Sequence, residues 1–128
     1  TRAFGETLAA SLRAGDVVLL SGDMGAGKSE LARGIARGLG IAGAVPSPTF
    51  TIMNAYEGAL PLYHFDLYRI ETADELYELG LDEYIGGDCV ALIEWHERAP
   101  EVIPADHVRE VVIRPLADGS RDISVRML

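Results

Sequence analysis

Apolar residues along the chain change period several times, and each change marks an element. In "GETLAASLRA" (5–14) Leu8 and Leu12 stand four apart, the spacing of a short amphipathic helix. "DVVLLS" (16–21) is a continuous β-branched and leucine run, as in a parallel strand covered on both faces. Leu31, Ile35 and Leu39 then recur every four residues, and Gly40 is a natural stop for the helix they imply. "FTIMNAY" (50–56) and "LYHFDLYR" (62–69) suggest strands joined by the turn "EGALP". Thr72 with Glu75 suggests a capping box that opens a helix through "ADELYELG". "CVALIEW" (89–95) is a second buried-strand pattern. Near the end, "HVREVVIRP" and "SRDISVRML" flank "LADG". Ile123, Val125 and Met127 alternate with polar residues, which predicts a β-hairpin with one covered face.

This order of elements predicts an α/β fold. Its sheet has a parallel core, helices on both faces, antiparallel edge strands, and a strand–loop–helix at its start. The whole chain, 1–128, has the length of one domain. It holds no repeat, no low-complexity tract and no linker composition.

Composition narrows the function. The net charge of −9 disfavours unaided binding of a polyanion over a broad surface. Seven of the twenty carboxylates lie between Glu71 and Asp88, a run that reads first as a solvated helical face and second as a partner-facing patch. No stretch has the length of a membrane span. The sequence opens on Thr1 and shows no basic-then-apolar leader. Cys89 is the only cysteine, so the expected setting is a reducing cytoplasm, with the thiol buried in a strand. His96 and His107 have no metal-ligand spacing and read as ordinary.

Between the first predicted strand and the second predicted helix lies "SGDMGAGKSE". Gly22, Gly27, Lys28 and Ser29 complete the pattern G-x-x-x-x-G-K-[ST], and Lys28 is the only lysine in the chain. Glycines permit a tight bend whose successive N–H groups face inward as a nest for phosphate oxygens. The positive end of the following helix points at the same spot. A compact ammonium reaches the β- and γ-phosphates where a planar guanidinium fits poorly. A nucleotide's phosphates are therefore expected along Gly22, Asp23, Met24, Gly25, Ala26, Gly27, Lys28, Ser29 and Glu30, with the Ser29 hydroxyl toward Mg²⁺.

The identity of the nucleotide follows by elimination. A guanine-reading N-K-x-D motif needs a second lysine, so adenine is favoured. A small-molecule kinase usually carries an arginine-bearing lid, whereas Arg69 is the only arginine between Gly40 and Cys89. Two alternatives stay open beside an ATPase: a small-molecule kinase, and a nucleotide-sensing interaction module that binds without hydrolysis.

Three further stretches, "PSPTFTI" (46–52), "HFDLYR" (64–69) and "LIEW" (92–95), follow "GDMGAGKS" in an order that resembles the TsaE family. Its members are bacterial P-loop ATPases of tRNA threonylcarbamoyladenosine biosynthesis. "TRAFG" and "ELGLDEY" (78–84) are similar to further family segments. Ser29 stands where the family usually has Thr, Glu30 where an uncharged residue is usual, and His96 where Pro is common.

The resemblance implies a Mg²⁺-dependent ATPase that supports turnover of a complex with the TsaB and TsaD proteins. It would meet tRNA only through them, in the cytoplasm and away from any membrane. It implies a switch-like role for Thr49 near the metal or γ-phosphate, and a role for Trp95 in nucleotide turnover or partner contact. On a strand, His64, Asp66 and Tyr68 share one face, and a carboxylate flanked by His and Tyr suits a site near phosphates. An apolar strand ending in an acid delivers a carboxylate to the metal, which points to Glu94. The sequence leaves open which acid is nearer the ion; the assignment is Glu94 to Mg²⁺ and Asp66 to water positioning. No arginine finger stands out, so slow hydrolysis alone and faster turnover in the complex are expected.

Overall fold

The computed structural model describes residues 2–22, 28–41, 53–58 and 60–127; of Arg2 and Ser29 only the backbone is described. The elements run α1 (Arg2–Ala9), β1 (Val17–Gly22), α2 (Lys28–Gly38), β2 (Met53–Tyr56), β3 (Leu62–Asp66), α3 (Asp74–Glu78), β4 (Val90–Glu94), β5 (Val108–Pro115) and β6 (Arg121–Met127). Short 3₁₀ turns lie at Leu81–Tyr84, His96–Arg98 and Pro100–Val102.

Among the described residues, six strands form one sheet in the order β2-β3-β4-β1-β5-β6. β3, β4, β1 and β5 run parallel, and β2 and β6 close the edges antiparallel. The continuous apolar runs are the central strands: Val17 to Leu20 and Val90 to Ile93 are all buried. Side-chain alternation divides them between two cores. Val18, Leu20, Leu62, Leu92 and Val111 pack with Leu31 and Ile35 of α2 and Ala9 of α1. Val17, Leu19, Phe65, Ala91 and Ile93 pack on the opposite face with Leu67, Ile70, Leu76 and Ala99.

The helical stripe holds for Leu31 and Ile35, both fully buried, with Leu39 partly covered; α2 ends at Gly38 and Gly40 at φ 82° turns the chain away from it, as its position in the sequence suggested. α1 begins three residues earlier than its leucine spacing indicates, because Phe4 also packs on the core. It ends by tightening, with Ala10, Ser11 and Leu12 N–H groups bonding three residues back.

α1 lies on α2 where both lack side chains. A Cβ on Gly5 would stand 2.6 Å from the Leu31 carbonyl oxygen, and one on Gly38 would stand 2.5 Å from the Ala9 Cβ. Backbone cannot yield as a side-chain tip can. Gly5→Val is therefore expected to destabilise the fold by about 2 kcal/mol, read from urea midpoints; an unchanged midpoint contradicts this close approach.

Three expectations need correction. β3 stops at Asp66, not Arg69, because the Asp66 Oδ1 accepts the Tyr68 N–H at 3.0 Å and turns the chain. Tyr68 therefore leaves the face that His64 and Asp66 share. The capping box is half formed: Glu75 Oε2 accepts from the Glu71 and Thr72 N–H groups at 2.6 and 3.2 Å, but no side chain caps the helix start. α3 has only five residues, and Gly80 at φ 70° follows it. The terminal hairpin forms as expected, with Ile123 opposite Ile113, but its apolar face is covered only near Ile123. Val125 is 42% and Met127 63% exposed, because β6 is the edge strand.

Candidate functional site

Parallel strands bring their carboxyl ends to one edge of the sheet, where open α/β folds bind ligands. β1 ends at Gly22, whose φ of 152° an L side chain rarely adopts. α2 opens with Lys28 in its first turn. β4 ends at Glu94 with Asp66 of β3 in register beside it and Leu20 of β1 on its other side. Topology thus gathers at one edge a lysine and two acids that are far apart in sequence.

The Lys28 ammonium lies 3.6 Å from Glu94 Oε1, and the other carboxylate oxygen, Oε2, lies 2.7 Å from His64 Nε2. Burial raises the Glu94 pKa, but the His64 hydrogen bond and the charges of His64 and Lys28 outweigh burial and hold it below the ordinary carboxylate range. An ionised carboxylate only accepts, so His64 Nε2 carries the proton of that bond.

A pH dependence follows. A folded-state pKa below the unfolded value contributes stability that is complete above the unfolded pKa. It is lost as pH falls through the folded pKa. The stability advantage of the wild type over Glu94→Gln should therefore shrink as pH falls below about 4. Urea midpoints of both proteins across that range check it, and a difference independent of pH contradicts it.

Trp95 follows Glu94 at φ 60°, a left-handed conformation that costs a non-glycine residue about 1–2 kcal/mol. The turn sets its ring against Lys28, with the ammonium 5.4 Å from the ring centroid. Tyr68 leans on Trp95 at 4.9 Å between centroids, and the Arg98 guanidinium lies 5.6 Å over Tyr68. Leu20, Ser21, Gly22, Lys28, Trp95 and Glu97 line a cleft at this point. An open concavity lined by Val112, Ile113, Arg114 and Pro115 lies on the β5 side of Gly22.

Of the residues singled out in the sequence, Lys28, Glu94 and Trp95 come together, and Asp66 stands beside Glu94 with its Oδ1 engaged by the Tyr68 N–H. Glu30 lies on the outer flank of α2, where its Oε1 accepts from Arg33 Nη1 at 2.6 Å. Asp23, Met24, Gly25, Ala26, Gly27 and Thr49 lie outside the described residues, as does the Ser29 side chain. Cys89 is buried just before β4, donates to the Tyr84 carbonyl at 3.1 Å, and has its thiol pKa raised by burial. His107 has an architectural part: its carbonyl accepts the Val17 N–H where β5 meets β1.

Sequence spacing missed the His64–Glu94 contact. The signal for it was the shared strand parity of His64 and Asp66, but the partner sits on another strand. Among the described residues no helix is long and apolar enough to cross a membrane, and no group of three or more His, Cys, Asp or Glu side chains could hold a metal unaided.

Fold and site define an α/β protein with a parallel-core sheet. At its carboxyl edge, the lysine of a G-x-x-x-x-G-K-S sequence meets the acid that ends β4. The family model described as threonylcarbamoyl adenosine biosynthesis protein TsaE matches residues 1–123, and the chain belongs to the TsaE family. It is 46% identical over 125 residues to the tRNA threonylcarbamoyladenosine biosynthesis protein TsaE of Bacillus subtilis, covering 97% of this chain and 77% of that protein. It is 39% identical to the protein of the same name from Treponema pallidum, covering 98% and 92%. The crystal structure of Bacillus subtilis YdiB superposes with a TM-score of 0.83 at 40% identity, covering 98% of this chain and 77% of that one.

Proposed function

We propose that the chain is the Mg²⁺-dependent, ATP-binding and ATP-hydrolysing component of tRNA threonylcarbamoyladenosine biosynthesis, acting in the cytoplasm to support turnover of a TsaB–TsaD complex. Membership of the TsaE family and the names of its relatives support the pathway. The observation that carries the chemistry is Lys28, at the head of α2, within ion-pair reach of the partly buried, ionised Glu94 at the end of β4.

In this reading the bend from Gly22 to Ser29 wraps the phosphates with backbone N–H groups, and Lys28 turns from Glu94 to the β- and γ-phosphates. The concavity beside Val112 to Pro115 leaves room for the nucleoside. Glu94 suits Mg²⁺, which is commonly held by one or two carboxylates together with phosphate oxygens and water. Ser29 would share the ion with Glu94, and Thr49 would approach it or the γ-phosphate. When bound, the ion supplies charge neutralisation at the phosphates. Asp66, beside Glu94 at the sheet edge, orients the attacking water. The water attacks the γ-phosphorus roughly in line with the β–γ bridging oxygen, whose bond to phosphorus breaks as ADP leaves and the water's proton passes to phosphate or solvent; Lys28 and the loop N–H groups stabilise the spreading negative charge. Trp95 flanks Lys28 and shapes that side of the site.

Phosphate release from ATP is expected to be slow for the chain alone and about tenfold or more faster with TsaB and TsaD, since catalysis here rests on positioning that a partner completes. A fast rate in isolation that the partners leave unchanged contradicts this division of labour. Phosphate appearing on a metabolite instead of in solution would favour a kinase.

A further inference from the structure

We propose that His64 is the positioning residue for the reaction: it fixes the plane of the Glu94 carboxylate through Oε2 and so dedicates Oε1 to the phosphate side of the site. The proposal rests on the functional reading above for its consequences in hydrolysis, and on the nucleotide-free geometry for the contact itself.

A glutamate carboxylate ends three torsions from the backbone, and the last is broad, so its own rotamers do not fix where its oxygens point. An external partner must. The two partners of Glu94 differ in kind. Lys28 meets Oε1 at 3.6 Å, beyond hydrogen-bond length, from a long side chain that phosphates would attract away. His64 meets Oε2 at 2.7 Å, a short, charge-assisted bond. Its side chain is 2% exposed, on a strand flanked on both sides, two residue pairs away from Glu94 in the β3–β4 register and so on the same face. A short side chain held this way loses little further entropy in keeping its bond. His64 Nδ1 has no hydrogen-bond partner among the described residues, so the bond to Glu94 is the polar contact that orients the ring.

When Lys28 leaves for a phosphate, Oε2 stays on His64 and Oε1 alone becomes available. The acid then needs no reorientation between the empty and loaded states, which is the preorganisation that makes electrostatic catalysis effective.

The test uses two amides of different reach. The amide of His64→Gln ends near the Nε2 position and keeps a donor toward Glu94. That of His64→Asn ends near Nδ1 and falls short. With ATP and Mg²⁺, H64N should lower kcat about tenfold or more, with KM and calorimetric ATP affinity within about twofold of wild type, and H64Q should recover most of kcat. Without nucleotide, urea midpoints of H64N, Glu94→Gln and the double variant should be non-additive, the double losing clearly less than the two singles together. If H64N does not fold, His64→Leu takes its place in the cycle.

Equal kcat for H64N and H64Q, a loss confined to KM, or an additive cycle would overturn the proposal. If the wild type itself releases no phosphate from ATP, the functional reading fails separately, and the nucleotide-free cycle alone decides whether His64 holds Glu94.

Discussion

Lys28→Ala removes ATP binding, with calorimetric affinity falling by two orders of magnitude or more while the folded state survives. The lysine is the only one in the chain and the first residue of α2, so no neighbouring ammonium can replace it. The contacts it would make to phosphate are charge-assisted and partly desolvated, each worth about 1.5–3 kcal/mol, and two of them account for a hundredfold or more in affinity. Its side chain is 13% exposed, so the phosphates would meet a charge that water screens little. Folding is less sensitive, because Glu94 keeps its stronger partner, His64, when the ammonium is gone. Circular dichroism of the variant separates lost binding from lost structure. Unchanged ATP affinity in a folded variant would mean that the glycine-rich bend is only a turn.

Glu94→Gln should separate binding from turnover. The amide fills the same space on β4 and leaves Lys28 free to meet phosphate. Nucleotide affinity should therefore hold within a few-fold, or rise, as the competing 3.6 Å ion pair disappears. Phosphate release should fall about a hundredfold or more, the scale on which a single group aimed at developing charge acts in other enzymes. Single-turnover phosphate release and calorimetry on one preparation read the two effects together. Hydrolysis preserved in Glu94→Gln would move the essential acid to Asp66, its neighbour in the β3–β4 register. Preserved binding with lost turnover would also separate an ATPase from a passive sensor, provided that assembly with TsaB and TsaD fails to cycle in the same variant.

Much of this geometry was written in the chain. The buried runs at Val17 to Leu20 and Val90 to Ile93 were legible because a strand covered on both faces has no polar alternation to obscure it. The stripe of α2 was legible because its period matches a helix with one buried side, and Gly40 closed it. Tyr68 was misplaced because the pattern His-Phe-Asp-Leu-Tyr alternates perfectly, whereas an Asp66 side chain that captures the Tyr68 N–H ends the strand at Asp66. Local side-chain bonding of that kind competes with pairing and leaves no periodic signature. Val125 and Met127 looked covered for the opposite reason: alternation shows that one face is apolar, but not that anything lies upon it.

At the site, spacing identified Lys28 and Glu94 separately. Their approach, and the hold of His64 on the acid, depend on strand order, which places β4 between β3 and β1. The left-handed turn at Trp95 has no sequence signal, since it is a residue type that rarely adopts it.

The most direct test of the central claim is a crystal structure of the chain with Mg²⁺ and a non-hydrolysable ATP analogue. The triphosphate should lie along residues 22 to 29 at the head of α2, with the Lys28 ammonium turned from Glu94 onto it and the ion between the phosphates and Glu94 Oε1. A nucleotide bound elsewhere, with Lys28 still paired to Glu94, would contradict it.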